Sequence, residues 1–136
     1  MENLVAKCLL YCLKIASRFI FLKRKFDLSN RQFMKALRVH YTTTAEFAPV
    51  NQANIAGIVK ELKELNHPGI KYSTWLLPDG KTFMHFDQFK NEEAHNVLTS
   101  LASFKKFDEE LWASGLEAEP ILEHVTLVAA TEEFFE

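Results

Sequence analysis

From residue 34 onward the chain alternates between two apolar rhythms. Ala36 to Thr43 is rich in β-branched and aromatic residues. Leu37, Val39 and Tyr41 fall on one side of it, and Arg38, His40 and Thr42 on the other, a period of two that predicts a first strand. Pro49 can open a helix, and Ile55, Ile58, Val59, Leu62 and Leu65 then recur at the spacing of one helical face. Asn66-His67-Pro68-Gly69 stops that helix, because proline cannot continue it and glycine suits the turn. Ile70 to Leu77 and Lys81 to Phe89 read as strands two and three. Pro78-Asp79-Gly80 joins them as a hairpin turn, since Pro sets φ and Gly accepts a positive one. Asn91 fits an N-cap, with Glu92 and Glu93 favourable in the first turn. Val97, Leu98, Leu101, Phe104, Phe107 and Leu111 carry a second helix, with a break expected near Ser103 and an end at Gly115. Ile121 to Ala130 reads as strand four, and an acidic tail with Phe134 and Phe135 follows.

The order β-α-β-β-α-β predicts an α+β, ferredoxin-like sandwich. Its four-stranded antiparallel sheet is expected in the order 4-1-3-2, with both helices on one face. Strand four puts Ile121, Val125 and Leu127 opposite Leu122, Thr126 and Val128, so both of its sides carry apolar residues. Two faces to bury in a short chain imply a partner sheet, and homodimerisation through the sheet face would supply it.

Composition changes this picture at the N-terminus. The whole chain has 136 residues, 48% hydrophobic and 25% charged, with four Gly and four Pro, which is globular. Its net charge of -2 argues against a general nucleic-acid binder. Residues 1–33, however, hold seven of the 16 basic residues and only two of the 18 acidic ones. They also hold both cysteines, Cys8 and Cys12. The chain therefore divides into a basic, apolar extension (1–33) and a domain (34–136). Leu4, Cys8, Cys12, Ile15 and Phe19 recur at helical spacing in the extension, but Lys7, Lys14 and Arg18 interrupt the apolar run. That makes a poor membrane span and a weak signal peptide. Two readings remain: a basic amphipathic helix lying on an anionic membrane, or an overlong reading frame with Met34 as the true start. A domain without cysteine excludes a disulfide framework and fits a reducing compartment, so a cytoplasmic location is expected.

The histidines are the most informative polar residues. His40, His85 and His124 fall on strands one, three and four, and strand one lies between the other two in a 4-1-3-2 sheet. If register allows, all three converge on one face, with Asp87 beside His85. Such a set would offer a general base near neutral pH. No closely spaced ligand pair supports a metal, and none is expected. Tyr72 and Trp75 are three apart on strand two and point to opposite faces. His95 lies near the start of helix two, and His67 sits in a turn. The sequence carries no Gly-rich phosphate loop, no Cys-x-x-Cys pair and no Gly-x-Ser-x-Gly elbow, so NAD, ATP and serine-hydrolase chemistry lack support.

Residues 83–95, Phe-Met-His-Phe-Asp-Gln-Phe-Lys-Asn-Glu-Glu-Ala-His, are followed by Ser103-Phe104-Lys105-Lys106-Phe107. This pattern resembles the second half of antibiotic-biosynthesis-monooxygenase-like domains: a third strand ending in an aromatic residue, an acidic polar cap, then a broken helix. The resemblance spans residues 35–130. It implies a dimeric α/β barrel whose members include cofactor-free quinone-forming monooxygenases and haem-degrading enzymes. The haem-degrading pattern is not matched: its strand-three Trp position holds Phe89, its helix His falls at or near Asp108, and strand one offers His40 but no Asn.

The expected activity is therefore a cofactor-independent, monooxygenase-like oxidation of a quinol or other small aromatic molecule. His40, His85 and His124 are the candidate catalytic residues. Arg38, Tyr72, Trp75, Asp87 and His95 are the candidate substrate-binding residues. The competing expectation is a non-enzymatic dimeric binding or stress-type module.

Overall fold

A computed structural model describes residues 34–135. The extension of residues 1–33, with Cys8, Cys12 and the readings attached to them, lies outside the described residues. The elements are β1 (Lys35–Thr42), α1 (Ala48–Leu65), β2 (Ile70–Leu76), β3 (Thr82–Phe89), α2 (Glu92–Ser100), α3 (Ala102–Ala113) and β4 (Ala118–Val125). The sheet order is β2-β3-β1-β4, every neighbouring pair antiparallel, which is the expected ferredoxin-like order. Among the described residues no helix is long and apolar enough to cross a membrane.

Local chemistry sets the boundaries. The Asn91 side chain accepts a 2.9 Å hydrogen bond from the Ala94 amide and caps α2. Asn66 closes α1 in the left-handed conformation, so this Asn, ahead of Pro68 and Gly69, makes the helix stop. Gly80 takes φ +74° in the β2–β3 turn, while the Asp79 carboxylate accepts from the Lys81 and Thr82 amides. The helix break falls at Leu101, whose backbone is extended between α2 and α3, two residues before its expected place.

The largest departure from the sequence reading is strand four, expected over Ile121 to Ala130 and found over Ala118–Val125. Pairing begins early because Thr42 faces Ala118, and His40 then faces Ile121. β4 thus spends three residues where β1 spends two, a bulge around Pro120. Proline has no N–H to give a ladder and is tolerated on an edge strand at such an irregularity. Pairing ends at Val125 because its partner, Ala36, stands at the start of β1. Leu127 and Val128 lie past the paired strand and are exposed, Val128 at 97%.

The core lies between the sheet and the helices. On β3, Phe83, His85, Asp87 and Phe89 are buried, and Thr82, Met84, Phe86 and Gln88 are half-buried on the other face. Leu37 and Tyr41 of β1 join that core with Ile55 and Ile58 of α1, Leu98 of α2, and Phe107 and Leu111 of α3. Among the described residues no element packs on the opposite, bare face, which exposes Trp75 (60%) and Ile121 (54%).

Candidate functional site

Strand register decides which polar residues meet. Val39 faces His85 on one side and Leu122 on the other, and Leu37 faces Asp87 and His124. Directly opposed residues share a face, so His85, Asp87 and His124 lie on the helix side with Leu37 and Tyr41. His40 faces Met84 and Ile121, on the bare side. The expected convergence of three histidines is therefore corrected. His40 is on the wrong face, and His124 is separated from His85 by β1 and displaced along it. Parity is the cause, since the inward set on β1 is odd-numbered.

His85 is the buried centre of a hydrogen-bonded network. Its Nε2 lies 2.9 Å from the Tyr41 hydroxyl. Its Nδ1 lies 3.0 Å from Thr74 Oγ1 and 3.2 Å from the Tyr72 hydroxyl. Asn51, fully buried on α1, donates Nδ2–H to the Tyr41 oxygen at 3.0 Å. Phe83 stacks on Tyr41, and Phe107 packs against both Tyr41 and His85.

Burial dominates the electrostatics here. It pushes His85 down to about 4 and Asp87 up to about 8, so both are uncharged at pH 7. It also raises Tyr41 and Tyr72, with Asp87 adding a smaller push in the same direction. Among the described residues, no hydrogen-bond partner reaches the buried Asn51 Oδ1 or Asp87 Oδ1.

An open cleft of about 410 Å³ lies beside this network. Gln52, Ile55, Ala56 and Val59 of α1 form one wall, and Thr74, Leu76 and Phe83 the other. This volume suits a small molecule, and the lining is mostly apolar with few polar groups, as ligand pockets are. Thr74 belongs to both cleft and network.

The remaining sequence-predicted residues go elsewhere. Arg38 lies on the bare sheet face, where its Nε donates to Glu123 at 2.6 Å, and with His40 it lines a shallow hollow of about 160 Å³. Trp75 is on that face too, opposite Met84. His95 sits at the start of α2 against Phe89, with its Nδ1 3.0 Å from Lys35 Nζ and 3.4 Å from Glu92. Burial, then the Lys35 charge, holds His95 below the usual histidine range. His67 Nδ1 accepts from the Gly69 amide and shapes the turn before β2. Of the expected site residues, the structure brings together His85, Asp87 and Tyr72. Among the described residues no group of three or more His, Cys, Asp or Glu is placed to hold a metal ion.

Asn51 and Thr74 were missed as site residues. Asn51 is legible in hindsight: it precedes Ile55 by four and Ile58 by seven, so it occupies the buried stripe of α1. Thr74 follows Tyr72 by two and so shares its face.

No protein-family profile matches the sequence, and no curated protein matches it. Solved structures do. A candidate antibiotic biosynthesis monooxygenase of Bacteroides thetaiotaomicron superposes with a TM-score of 0.64 at 13% identity, covering 74% of this chain and 94% of that one. A second, from Caulobacter crescentus, gives 0.61 at 14% identity, covering 72% of this chain and 92% of its own. A Mycobacterium tuberculosis protein gives 0.62 at 9% identity, with 74% of this chain and all of that one covered. At such identities the likeness is one of fold. The chain thus shares the ferredoxin-like fold of these candidate antibiotic biosynthesis monooxygenases, the fold to which its motif at residues 83–107 pointed.

Proposed function

We propose that this protein is a homodimer binding a small, uncharged aromatic molecule in the cleft beneath α1, and that it oxidises a phenol to a quinone without a bound cofactor. The observation that carries this reading is the join between cleft and network. The apolar wall formed by Ile55, Val59, Leu76 and Phe83 is interrupted by Thr74, whose hydroxyl is held by His85. Apolar walls suit the ring, and one fixed hydroxyl suits its oxygen. The reaction consumes one O₂ per phenol. One oxygen atom enters the ring as the second carbonyl, the other leaves as water, and the substrate supplies the electrons.

His85 is the histidine that geometry offers to this chemistry, but burial makes it a weak base. Its part is to hold the Thr74 and Tyr41 hydroxyls, while the phenolic proton leaves to water through the open side of the cleft. The full-length protein should take up oxygen with a panel of phenols and naphthols and form quinone absorbance one for one. Uptake no faster than the uncatalysed rate across the panel sinks the enzymatic reading.

One observation favours a second reading, a binding module without catalysis: among the described residues no His or Tyr lines the cleft. Saturable binding of an aromatic molecule with no oxygen uptake would select it. In either reading the bare sheet face, with Trp75 and Ile121 exposed on it, is covered by the same face of a second copy.

A further inference from the structure

The hydrogen bonds around His85 have a direction, and Asn51 sets it. A carboxamide nitrogen can only donate, and Asn51 Nδ2 lies 3.0 Å from the Tyr41 oxygen. The Tyr41 hydrogen is then left for His85 Nε2, 2.9 Å away. Nε2 is therefore the bare nitrogen, and a neutral ring must carry its proton on Nδ1. Nδ1–H points at Thr74 Oγ1 and the Tyr72 oxygen, which both accept. The Thr74 hydroxyl hydrogen cannot return to Nδ1; within the chain it turns to the neighbouring Tyr72 oxygen, and because Thr74 lines the cleft a ligand acceptor there can take it instead.

We propose that Asn51, acting through Tyr41 and His85, makes Thr74 the hydrogen-bond donor of the cleft, so that the cleft selects a ligand presenting an uncharged acceptor oxygen at Thr74. Thr74 is the specificity-determining residue and Asn51 a positioning residue. The proposal rests on the reading of this cleft as the binding site. A ligand group that can only donate meets the Thr74 hydroxyl hydrogen head-on, and a buried donor left unpaired lowers affinity. With Asn51 turned over, the chain would run the other way: the proton would sit on Nε2, and Thr74 would donate inward.

Two measurements on the full-length protein test this. Nitrogen-15 NMR of histidine-labelled protein at pH 7 should show His85 with the proton on Nδ1, and Asn51→Leu should raise the share carrying it on Nε2. Equilibrium dialysis with duroquinone, whose ring methyls block addition to cysteine, should show saturable binding. Thr74→Val should weaken it about tenfold, the loss of one hydrogen bond, and Thr74→Ser should leave it within about twofold. An Nε2–H ring in the unaltered protein overturns the proposal, and so does a Thr74→Val variant that binds duroquinone as tightly, or no binding at all. Should Asn51→Leu fail to fold, the tautomer of the unaltered protein and the two Thr74 variants still decide. Absent oxygen uptake with the Nδ1–H ring and the Thr74 effect intact removes the proposed reaction and leaves this inference standing. Oxygen uptake with an Nε2–H ring does the reverse.

Discussion

Asp87 stands two residues beyond His85 on the same face of β3, and burial drives the two side chains in opposite directions. The acid is held protonated and the base unprotonated, and no charge is left between sheet and helices at this point of the core. The protein thus keeps several polar atoms in its interior without an ion. That environment favours an uncharged ligand over a charged one.

The same pair predicts how stability varies with pH. Asp87 has its folded value raised from 3.8 to about 8, so its contribution is complete below 3.8 and is lost as pH rises towards 8. His85 has its folded value lowered from 6.5 to about 4, so its contribution is complete above 6.5 and is lost as pH falls towards 4. Between these limits the two oppose each other, and from pH 6.5 to 8 only Asp87 acts. The thermal midpoint should fall across that upper interval, and Asp87→Asn should flatten the fall. Scanning calorimetry of both proteins at pH 6.5 and 8.5 reads this directly, and equal slopes would remove Asp87 from the explanation.

Tyr41→Phe deletes one oxygen and strands two partners, Asn51 Nδ2 and His85 Nε2, where water does not reach. An unsatisfied buried polar group costs about 1–3 kcal/mol, so a loss of about 2–4 kcal/mol is expected in urea unfolding. Adding Asn51→Leu removes one of the stranded groups, and the double variant should be less unstable than the sum of the two singles. Strict additivity would mean that the two residues do not share a network.

Glu61 of α1 holds the start of α3, because its Oε2 accepts a 3.0 Å hydrogen bond from the Ser103 amide. Leu101 at the helix break has no side-chain cap to offer, and a carboxylate at a helix N-terminus also meets the positive end of the dipole. The hydrogen bonds from Ser103 hold the Glu61 carboxyl below its usual range. Glu61→Ala should lower the unfolding midpoint. Glu64→Ala, which loses only an exposed pair with Lys60, should leave it nearly unchanged. Equal midpoints for the two variants would show that this cap does not stabilise the break.

The order of elements was legible because each announces itself over short range: period two in β1 and β3, the apolar face of α1, Pro78-Asp79-Gly80 at φ +74°, and Asn91 as a cap. What local pattern does not carry is which partner a strand meets. The limits of β4 follow from its pairing with β1, so the apolar run through Val128 misled. The histidines failed for a related reason. Three strands bearing a histidine say nothing of parity, and parity puts His40 with Met84 and His85 with Val39. Asn51 and Thr74 carry the site through spacing alone, as polar residues on faces that their neighbours bury.

The bare sheet face gives the last prediction. Trp75, Ile121 and Val125 are exposed there, around the Arg38–Glu123 ion pair, and Met84 and Phe86 are only half-buried. A soluble monomer rarely leaves such a patch in water, and a twofold axis would lay this face on its own copy. A carboxylate at Trp75, on the edge strand β2, would be desolvated within that contact and should break it. Trp75→Glu should therefore convert a two-chain particle to a single chain in size exclusion with light scattering. His67→Gln, at the turn before β2, should not. Because the cleft beneath α1 lies on the opposite face of the sheet, the monomeric variant should keep its tautomer at His85 and its duroquinone binding. A single-chain mass for the unaltered protein would remove the homodimer, and loss of binding on dissociation would show that the cleft needs the second copy.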